Sequence, residues 1–495
     1  MTAASIPATA APRSLAPWGL SWPLLMAAAG FLLALNQSLL IDADSYWHIA
    51  AGRWIFEHLA IPTADPFSNS MPGAPWVSHE WLSEVLLGAA YQLCGWAGPV
   101  VLGAAAFAAA LALLCRYLLR HLEPVLALCF MLLAACLVHD HLLARPHALV
   151  LPLIAAWGIA LVRAREQGHA PAARWALLMV VWANLHGSFT LGLGLTGFFA
   201  VEALLASPKA GRRQTAMAWG RFVLLALLAA MVTPQGPAGL AFTAKLHGMD
   251  YAMRVIGEWR SPDFHDFQPL ELGLMAGALA VLIRGLRLPP MRILLLLGLL
   301  HLALAHARHV EILGLVAPLA LAVPVGTQWR SAAGPDQTAA LDRWFLALAA
   351  PARLPAVVLT ATLLAGCAVF LGSSGALKPA RAITPEAAVR AAQAARPEGP
   401  VLNSYHFGGY LIFAGIPPYI DGRADMYGDP FLAAYGRALR LEASDSLPQL
   451  LESHHIGWTL LAPEVPAIAL LDRLPGWRRL YADDTAVVHV RSGSR

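Results

Sequence analysis

Charged residues are scarce in this chain, and lysine is the scarcest of them. Lys, Arg, Asp and Glu make up 13% of the 495 residues, Lys occurs only three times, and the formal net charge is +4. A soluble domain carries about 25% charge, so this composition excludes an ordinary soluble protein. The positive charge is also too small and too scattered for a nucleic-acid-binding surface, so we expect no nucleic acid partner.

Cysteine is also sparse. The chain has no internal repeat. The five cysteines lie in or beside apolar stretches, and none has the spacing of metal ligands: Cys94, Cys115, Cys129, Cys136 and Cys367. This excludes a disulfide framework and a cysteine-bound metal centre. We expect these cysteines to be small buried hydrophobic residues.

Long apolar runs are what the chain has in abundance. Hydrophobic residues make up 58% of it, and the mean hydropathy is +0.58. The run from Trp18 to Leu40 reaches the roughly 20 residues needed to cross a bilayer and predicts an uncleaved anchor. Further runs lie near 97–115, 124–138, 147–162, 174–185, 189–206, 221–232, 270–283, 292–304, 310–325 and 353–372. The sequence therefore predicts a polytopic α-helical membrane protein with about eleven spans.

Arginines orient these spans. If the N-terminus is inside, alternate loops carry clusters such as Arg116 with Arg120 and Arg212 with Arg213, whereas the opposite loops carry few cations. This is the positive-inside asymmetry. It holds if 81–95 is an interfacial amphipathic helix rather than a span. The Arg-, Ala- and Leu-rich composition is typical of a GC-rich bacterial genome, so we expect a multi-pass protein of the bacterial inner (cytoplasmic) membrane.

The composition changes after the last apolar run. From about 379 the chain is mixed polar, with β-like runs at 400–403, 419–421, 458–461 and 486–490 and helical patterns at 387–395 and 447–453. Such alternation predicts a small α/β domain. We expect residues 1–378 to form the transmembrane region, with a first outer loop at 41–80, and 379–495 to form an extracytoplasmic domain.

Polar residues concentrate in the predicted outer loops, at the ends of the spans. Acids can bind a divalent cation such as Mg²⁺ or Mn²⁺, or act as a general base, and Arg and His can bind a phosphate. The alternative is that these residues only anchor loops at the membrane interface, but the inner loops have no comparable set. The candidates are Asp42, Asp44, His48, His79, Glu80, Asp140, His141, Arg145, His147, His186, Glu258, Arg308 and His309.

The first outer loop resembles that of a known superfamily. Asp44-Ser45-Tyr46-Trp47-His48, followed by Asp65-Pro66-Phe67-Ser68-Asn69, is similar to the first external loop of oligosaccharyltransferase catalytic subunits, which belong to the GT-C superfamily of membrane glycosyltransferases. Asp42 equally resembles the Asp that opens this loop in protein O-mannosyltransferases and aminoarabinose transferases. The catalytic carboxylate is therefore either Asp44 or Asp42.

Two weaker matches support the resemblance. His139-Asp140-His141 lies where oligosaccharyltransferases have an acidic pair, although only one acid is present here. Tyr405-His406-Phe407-Gly408-Gly409-Tyr410 resembles their aromatic acceptor-recognition motif, with His406 in place of Asp and without the Trp pair.

The resemblance implies a GT-C-like fold and a hexosyl- or pentosyltransferase. It would move a sugar, with inversion, from a polyprenyl-phosphate-linked donor to a glycan, lipid or protein acceptor at the outer face of the membrane. Asp44 or Asp42 would be the base or a metal ligand, assisted by Asp140 and Glu258, and a metal would use Asp44 and Asp140. The remaining candidates, together with Tyr405 and His406, would bind substrate.

Two other classes of function were compared with this hypothesis. A membrane transporter, or an exporter subunit for an envelope lipid or glycan, should have ionisable residues at mid-span and repeated halves. The ionisable residues here lie at span ends, and no halves repeat. A receptor domain on a membrane anchor could use the turn at 420–427 to bind a ligand, but it would not need eleven spans.

Overall fold

The computed structural model describes residues 19–246, 248–329, 340–443 and 446–492. Trp18, where the first predicted span begins, lies outside these residues. The membrane region is a helical bundle in which every predicted apolar run coincides with a helix, and its described helices also include several outside those runs. The helices are α1 Trp22–Ala34, α2 Asp44–His58, α3 Trp81–Cys94, α4 Ala97–Leu118, α5 Pro124–His139, α6 Pro146–Glu166, α7 Ala176–Leu185, α8 Phe189–Ala206, α9 Arg212–Ala230, α10 Ala238–Leu246, α11 Asp250–Val255, α12 Pro269–Arg284, α13 Pro290–Ala305, α14 Val310–Gln328, α15 Ala340–Ala347 and α16 Leu354–Ser373.

Several helices of this bundle have the length and hydropathy of membrane-spanning helices. In the described part of the chain, five helices are long and apolar enough to cross a bilayer: 97–118, 146–166, 189–206, 307–328 and 354–373. Four shorter apolar helices accompany them, at 22–34, 124–139, 173–185 and 290–305. The chain is therefore a multi-pass membrane protein, and the count of about eleven spans stays a prediction.

The core of the bundle is built from apolar faces of α4, α6 and α14, with Phe107, Trp157 and Leu319 nearly inaccessible to solvent. Cys115 is buried there, as predicted. The other four cysteines are exposed at the surface of the chain, so that prediction is wrong for them. Their helices turn apolar residues outward, as expected of helices that face lipid.

Two helices, α2 within the segment 41–80 and α3 just after it, cross closely. A Cβ atom on Gly52 of α2 would lie 2.0 Å from the carbonyl oxygen of Glu84 in α3, so only glycine allows this approach. A Cβ atom on Gly88 of α3 would in turn lie 3.2 Å from the Cα of Gly52. Because the two backbones touch, the side chains on neighbouring turns, including His48 and Glu84, are brought together in the interior.

The C-terminal region contains a four-stranded sheet with helices, and its elements are α17 Glu386–Ala395, β1 Val401–Asn403, α18 Gly408–Phe413, α19 Ala424–Leu439, α20 Ser446–Ser453, β2 Trp458–Leu461, α21 Ala467–Leu471, β3 Trp477–Ala482 and β4 Val487–Arg491. The strand order is β1-β2-β4-β3, with β1 parallel to β2 and the other pairs antiparallel. Leu402, Leu460 and Val488 are buried in its core.

The predicted α/β character of this region is confirmed, with two corrections. The run at 419–421 is not a strand, because Asn403 binds its backbone through a side-chain amide instead of a strand ladder. The strand Trp477–Ala482 was not predicted. Its edge position leaves most of it exposed, so it lacks the apolar pattern of the buried strands.

Candidate functional site

The candidate residues lie at helix ends because local sequence signals end or begin helices there. Pro146 begins α6 and holds the preceding Arg145 in an extended conformation, with φ −132° and ψ 167°. Asp42 accepts a hydrogen bond from the amide of Asp44 at 2.7 Å, which satisfies a free N–H at the start of α2. His186 follows the end of α7, also in an extended conformation. These ends meet in one region.

Arg145 is the centre of the first group, which we call the arginine cluster: Arg145, Arg308, Asp42, Asp44 and Glu258. Its guanidinium nitrogens lie 2.8 Å from Asp44 Oδ2, 3.2 Å from Asp42 Oδ2 and 3.4 Å from Glu258 Oε2. Arg308 Nη1 binds the other oxygen of Glu258 at 3.1 Å. Residues predicted from four separate loops are thus joined in a single ion-pair network.

Aromatic and imidazole rings surround this cluster. The guanidinium of Arg308 stacks over the Trp259 ring, 4.3 Å from its centroid, a favourable cation–π geometry. His141 Nε2 lies 3.7 Å from Glu258 Oε2. His147 is buried and its Nε2 lies 3.0 Å from the carbonyl oxygen of His141. His141 therefore borders the carboxylate that binds Arg308, and His147 is hydrogen-bonded to the backbone of His141.

Burial and neighbouring charges shift the pKa values of Asp44 and Glu258 in opposite directions. Burial raises the pKa of Asp44 to about 6, although Arg145 lowers it. Glu258 is half-buried, and Arg308 and Arg145 hold its pKa well below the ordinary range. Because a general base works best with a pKa near the ambient pH, Asp44 has the more suitable pKa of the two.

A second group, which we call the histidine cluster, adjoins the first: His48, His79, Glu80, Glu84 and His186. Glu80 lies between three imidazoles, with Oε1 3.3 Å from His186 Nε2 and 3.6 Å from His79 Nε2, and with Oε2 3.8 Å from His48 Nε2. Glu84 Oε1 lies 3.9 Å from His48 Nδ1. The negative charge of Glu80 is thus compensated by neighbouring imidazoles rather than by a bound arginine.

The imidazoles differ in charge. Burial opposes protonation of His79, but Glu80 raises the pKa of His79 to about 9. Burial lowers the pKa of His186 to about 4, despite Glu80. The amide of Ser188 donates to His186 Nδ1 at 3.1 Å, so in neutral His186 the proton is on Nε2, which faces Glu80.

A small cavity lies between the two clusters. Its enclosed volume is about 20 Å³, which is room for about one water. It is lined by Glu80, His141, Arg145, Pro146, His147, His186, Glu258, Arg308 and Glu311. Two cations and three acids therefore converge on one polar space.

The C-terminal region packs against the start of α2 beside Asp44. A Cβ atom on Gly409 would lie 2.3 Å from the carbonyl oxygen of Ala43, and the ring of Tyr410 packs edge-on against Tyr46 at 5.3 Å. Burial raises the pKa of Tyr405, and the charge of Asp44 raises it further, which puts this phenol within the field of the arginine cluster. The segment Tyr405–Tyr410 therefore lies on the same side as the site.

Among the described contacts, four candidates make no ion pair or hydrogen bond with a member of either cluster. Asp140 follows the end of α5 and is exposed, and no described contact joins it to Arg145 or Glu258. His309 packs against His306 and Trp259 instead of lining the cavity. His406 packs against Phe407. Tyr405 is near Asp44, but it does not line the cavity either.

The site also contains residues that were not predicted from the sequence to be site residues. Glu311 lies in the first turn of α14 and lines the cavity, and Glu84 approaches His48 from α3. Each is an acid in the first turn of an otherwise apolar helix, a signal that could have identified them. Gly422 touches Asp44 from the C-terminal region, and no local pattern indicates that contact.

The predicted metal pair does not assemble. Asp44 Oδ2 is bound to Arg145, whereas Asp140 is exposed elsewhere. Within the described ranges, no three His, Cys, Asp or Glu side chains are arranged to hold a metal ion. These residues do not fit a shared divalent cation.

Comparison with known proteins adds structural relatives. No family model matches the chain, and no curated protein matches it in sequence. ArnT from Cupriavidus metallidurans, in the apo state, is similar over 96% of this chain and 98% of its own, with 14% identity and a TM-score of 0.50. The same protein bound to undecaprenyl phosphate is similar over the same shares, with 15% identity and a TM-score of 0.45. Archaeal oligosaccharyltransferase AglB from Archaeoglobus fulgidus, in complex with an inhibitory peptide and a dolichol-phosphate, is similar over 89% of this chain and 69% of its own, with 11% identity and a TM-score of 0.49. The likeness to apo ArnT covers nearly the whole of both chains and therefore identifies the fold.

Proposed function

From the premise that the chain has the GT-C fold, we propose that it is a membrane glycosyltransferase fed by a polyprenyl-phosphate-linked sugar. Fold alone does not fix a function, so the proposal depends on the site. One observation carries it: Arg145 and Arg308 lie side by side on a polar cavity and are joined through Glu258, with Asp44 bound to Arg145.

The two arginines suit the phosphate of the donor. A guanidinium presents several N–H donors that match phosphate oxygens, and such charge-assisted hydrogen bonds are strong. A phosphate that reached the cavity would replace part of the contact that Glu258 makes with both arginines. The cavity has room for about one water, so binding a sugar phosphate requires these side chains to separate.

Asp44 suits the acceptor. In the proposed step, an acceptor O–H or N–H attacks the anomeric carbon of the sugar, the bond from that carbon to the phosphate oxygen breaks, and the polyprenyl phosphate leaves. Asp44 accepts the proton of the attacking group and later releases it to solvent. One displacement inverts the anomeric configuration. Asp42 has a different role, because it binds the amide of Asp44 and so positions the start of α2.

The orientation and the partners follow from the same proposal. The site would lie at the outer face of the bacterial inner membrane, with the N-terminus inside and the 379–495 domain outside, on the side from which the acceptor binds.

A buried ion pair away from the site favours an enzyme over a transporter. Glu202 and Arg292, 2.9 Å apart, lie near the ends of α8 and α13 and not at mid-span.

The test is sugar transfer by membranes that contain matched amounts of each variant, with a radiolabelled pool of polyprenyl-linked donors. Asp44→Asn keeps the size of the side chain but cannot accept a proton, so transfer should fall by about 10²–10⁴-fold. Asp42→Asn should cost less, because its amide oxygen can still accept the hydrogen bond from the backbone. Full activity of both variants would refute the carboxylate mechanism, and loss only in Asp42→Asn would transfer the role to Asp42.

A further inference from the structure

Gly422, in the C-terminal region, lies against the carboxylate of Asp44. A Cβ atom on Gly422 would be 1.8 Å from Asp44 Oδ1, 2.7 Å from Asp44 Cγ and 2.8 Å from Trp47 Nε1. Gly422 is not among the glycines with a positive φ, so its backbone would tolerate an L-residue. Glycine is therefore required here for space and not for backbone conformation.

Asp44 cannot yield to a side chain at 422 without losing other contacts. Its second oxygen, Oδ2, lies 2.8 Å from Arg145 Nη2, and its amide is bound to Asp42 at 2.7 Å. Rotation of the carboxylate away from residue 422 would lengthen the ion pair with Arg145. The position of the carboxylate is thus determined by Arg145 on one side and the Gly422 backbone on the other.

The segment that carries Gly422 is also fixed in place, by a buried ion network. Arg423 is fully buried and binds Asp421 through Nε at 2.8 Å and Nη2 at 2.7 Å, and it binds Asp65 of the first outer loop at 2.7 Å. A Cβ atom on Gly408 would be 2.1 Å from the carbonyl oxygen of Ile420 and 2.5 Å from the Cα of Asp421. The segment is therefore fixed both by the buried ion network and by close backbone packing against α18.

We propose that Asp421-Gly422-Arg423 is a positioning element of the transfer site, which holds the Asp44 carboxylate against Arg145 by direct backbone contact. This inference rests on the proposed function, because it assigns the element to the same reaction. A displacement of about 1 Å at a reacting group can cost about 10²-fold in rate. The C-terminal region is on this account part of the catalytic site as well as a cover over it.

The test is Gly422→Ala, assayed for transfer in membranes with matched protein levels. We expect kcat to fall by about 10- to 100-fold, with a smaller change in KM for the donor. The acidic limb of the pH–rate profile should move to higher pH, because Asp44 leaves Arg145, whose charge lowers the pKa of Asp44. Yield and resistance of the C-terminal region to trypsin should stay at wild-type values.

Gly457→Ala is the matched control. A Cβ atom there would lie 1.6 Å from the carbonyl oxygen of Glu398, an equally close contact in the same region whose nearest atoms include none of Asp44. It should lower trypsin resistance and leave the pH profile of the remaining activity unchanged. Wild-type kinetics and pH profile in Gly422→Ala would overturn the inference, and so would a loss that only follows the amount of folded protein. Absence of transfer by the wild-type protein would overturn the proposed function and this inference with it.

Discussion

Replacing Arg423 by methionine tests whether the contact between the first outer loop and the C-terminal region depends on a buried ion network. The side chains of Arg423, Asp65 and Asp421 are each fully buried, and the guanidinium binds both carboxylates. It also lies over the rings of Phe67 and Trp76, 5.2 and 4.7 Å from their centroids. Methionine fills a similar volume among these rings but leaves two carboxylates without their cation.

The expected cost is large because the carboxylates remain buried. Removing one partner of a buried ion pair costs about 3–5 kcal/mol of unfolding free energy. For a domain of roughly 100 residues, each kcal/mol lowers the midpoint of unfolding by about 4 °C or more, so Arg423→Met should lower it by roughly 12 °C or more. The assay is the temperature at which half of the C-terminal region becomes sensitive to a short pulse of trypsin, in detergent-purified protein.

Arg390→Met is the control in the same region. Arg390 binds Glu386 at 2.9 Å, but their side chains are 68% and 60% exposed. Such an exposed pair one helical turn apart contributes about 0.3–0.5 kcal/mol, so the midpoint should move by no more than about 4 °C. Equal shifts in the two variants would refute the argument that burial makes the Arg423 network important for stability.

Three further predictions concern the site and its orientation. Transfer should rise with pH through about 6, because Asp44 must lose its proton to act as a base and burial raises the pKa of Asp44 to about 6; a limb near pH 4 would contradict this assignment. Asp42→Ala should lower transfer more than Asp42→Asn, because only Asn keeps an oxygen for the amide of Asp44; equal losses would attribute the effect to charge instead. In a cysteine-free background, an impermeant maleimide added from outside should label Thr63→Cys and spare Ala210→Cys, both at exposed positions; the reverse pattern would invert the proposed topology.

Much of the site was predictable because polar residues are conspicuous in a chain this apolar. Asp44, Arg145, Glu258 and Arg308 stand at the ends of apolar runs, where the cost of burying charge in lipid confines them. Their pairing was not predictable, because Arg145 lies more than 100 residues along the chain from both Asp44 and Glu258, which it binds. The same signal also selected Asp140, which lies at a helix end but outside the cluster.

The turn at Asp421-Gly422-Arg423 shows the limit most clearly. An Asp-Gly pair indicates a turn wherever it occurs, so its sequence alone did not distinguish a binding turn from a structural one. Folding buries Arg423 against Asp65 and brings Gly422 to Asp44. Neither of these two contacts has a sequence signal, because each joins segments more than 350 residues apart.

The sequence by itself determined the membrane class, the helical runs and the α/β character of the C-terminal region, because hydropathy and its periodicity are local properties. Tertiary structure decided which helix ends meet, and with them the arginine cluster, the histidine cluster and the enclosure of Asp44. These depend on close approaches such as the crossing of Gly52 with Glu84 and on the competition of several carboxylates for Arg145. The energies of such contacts arise only when distant segments are packed together and solvent is excluded, so no single stretch of sequence contains them.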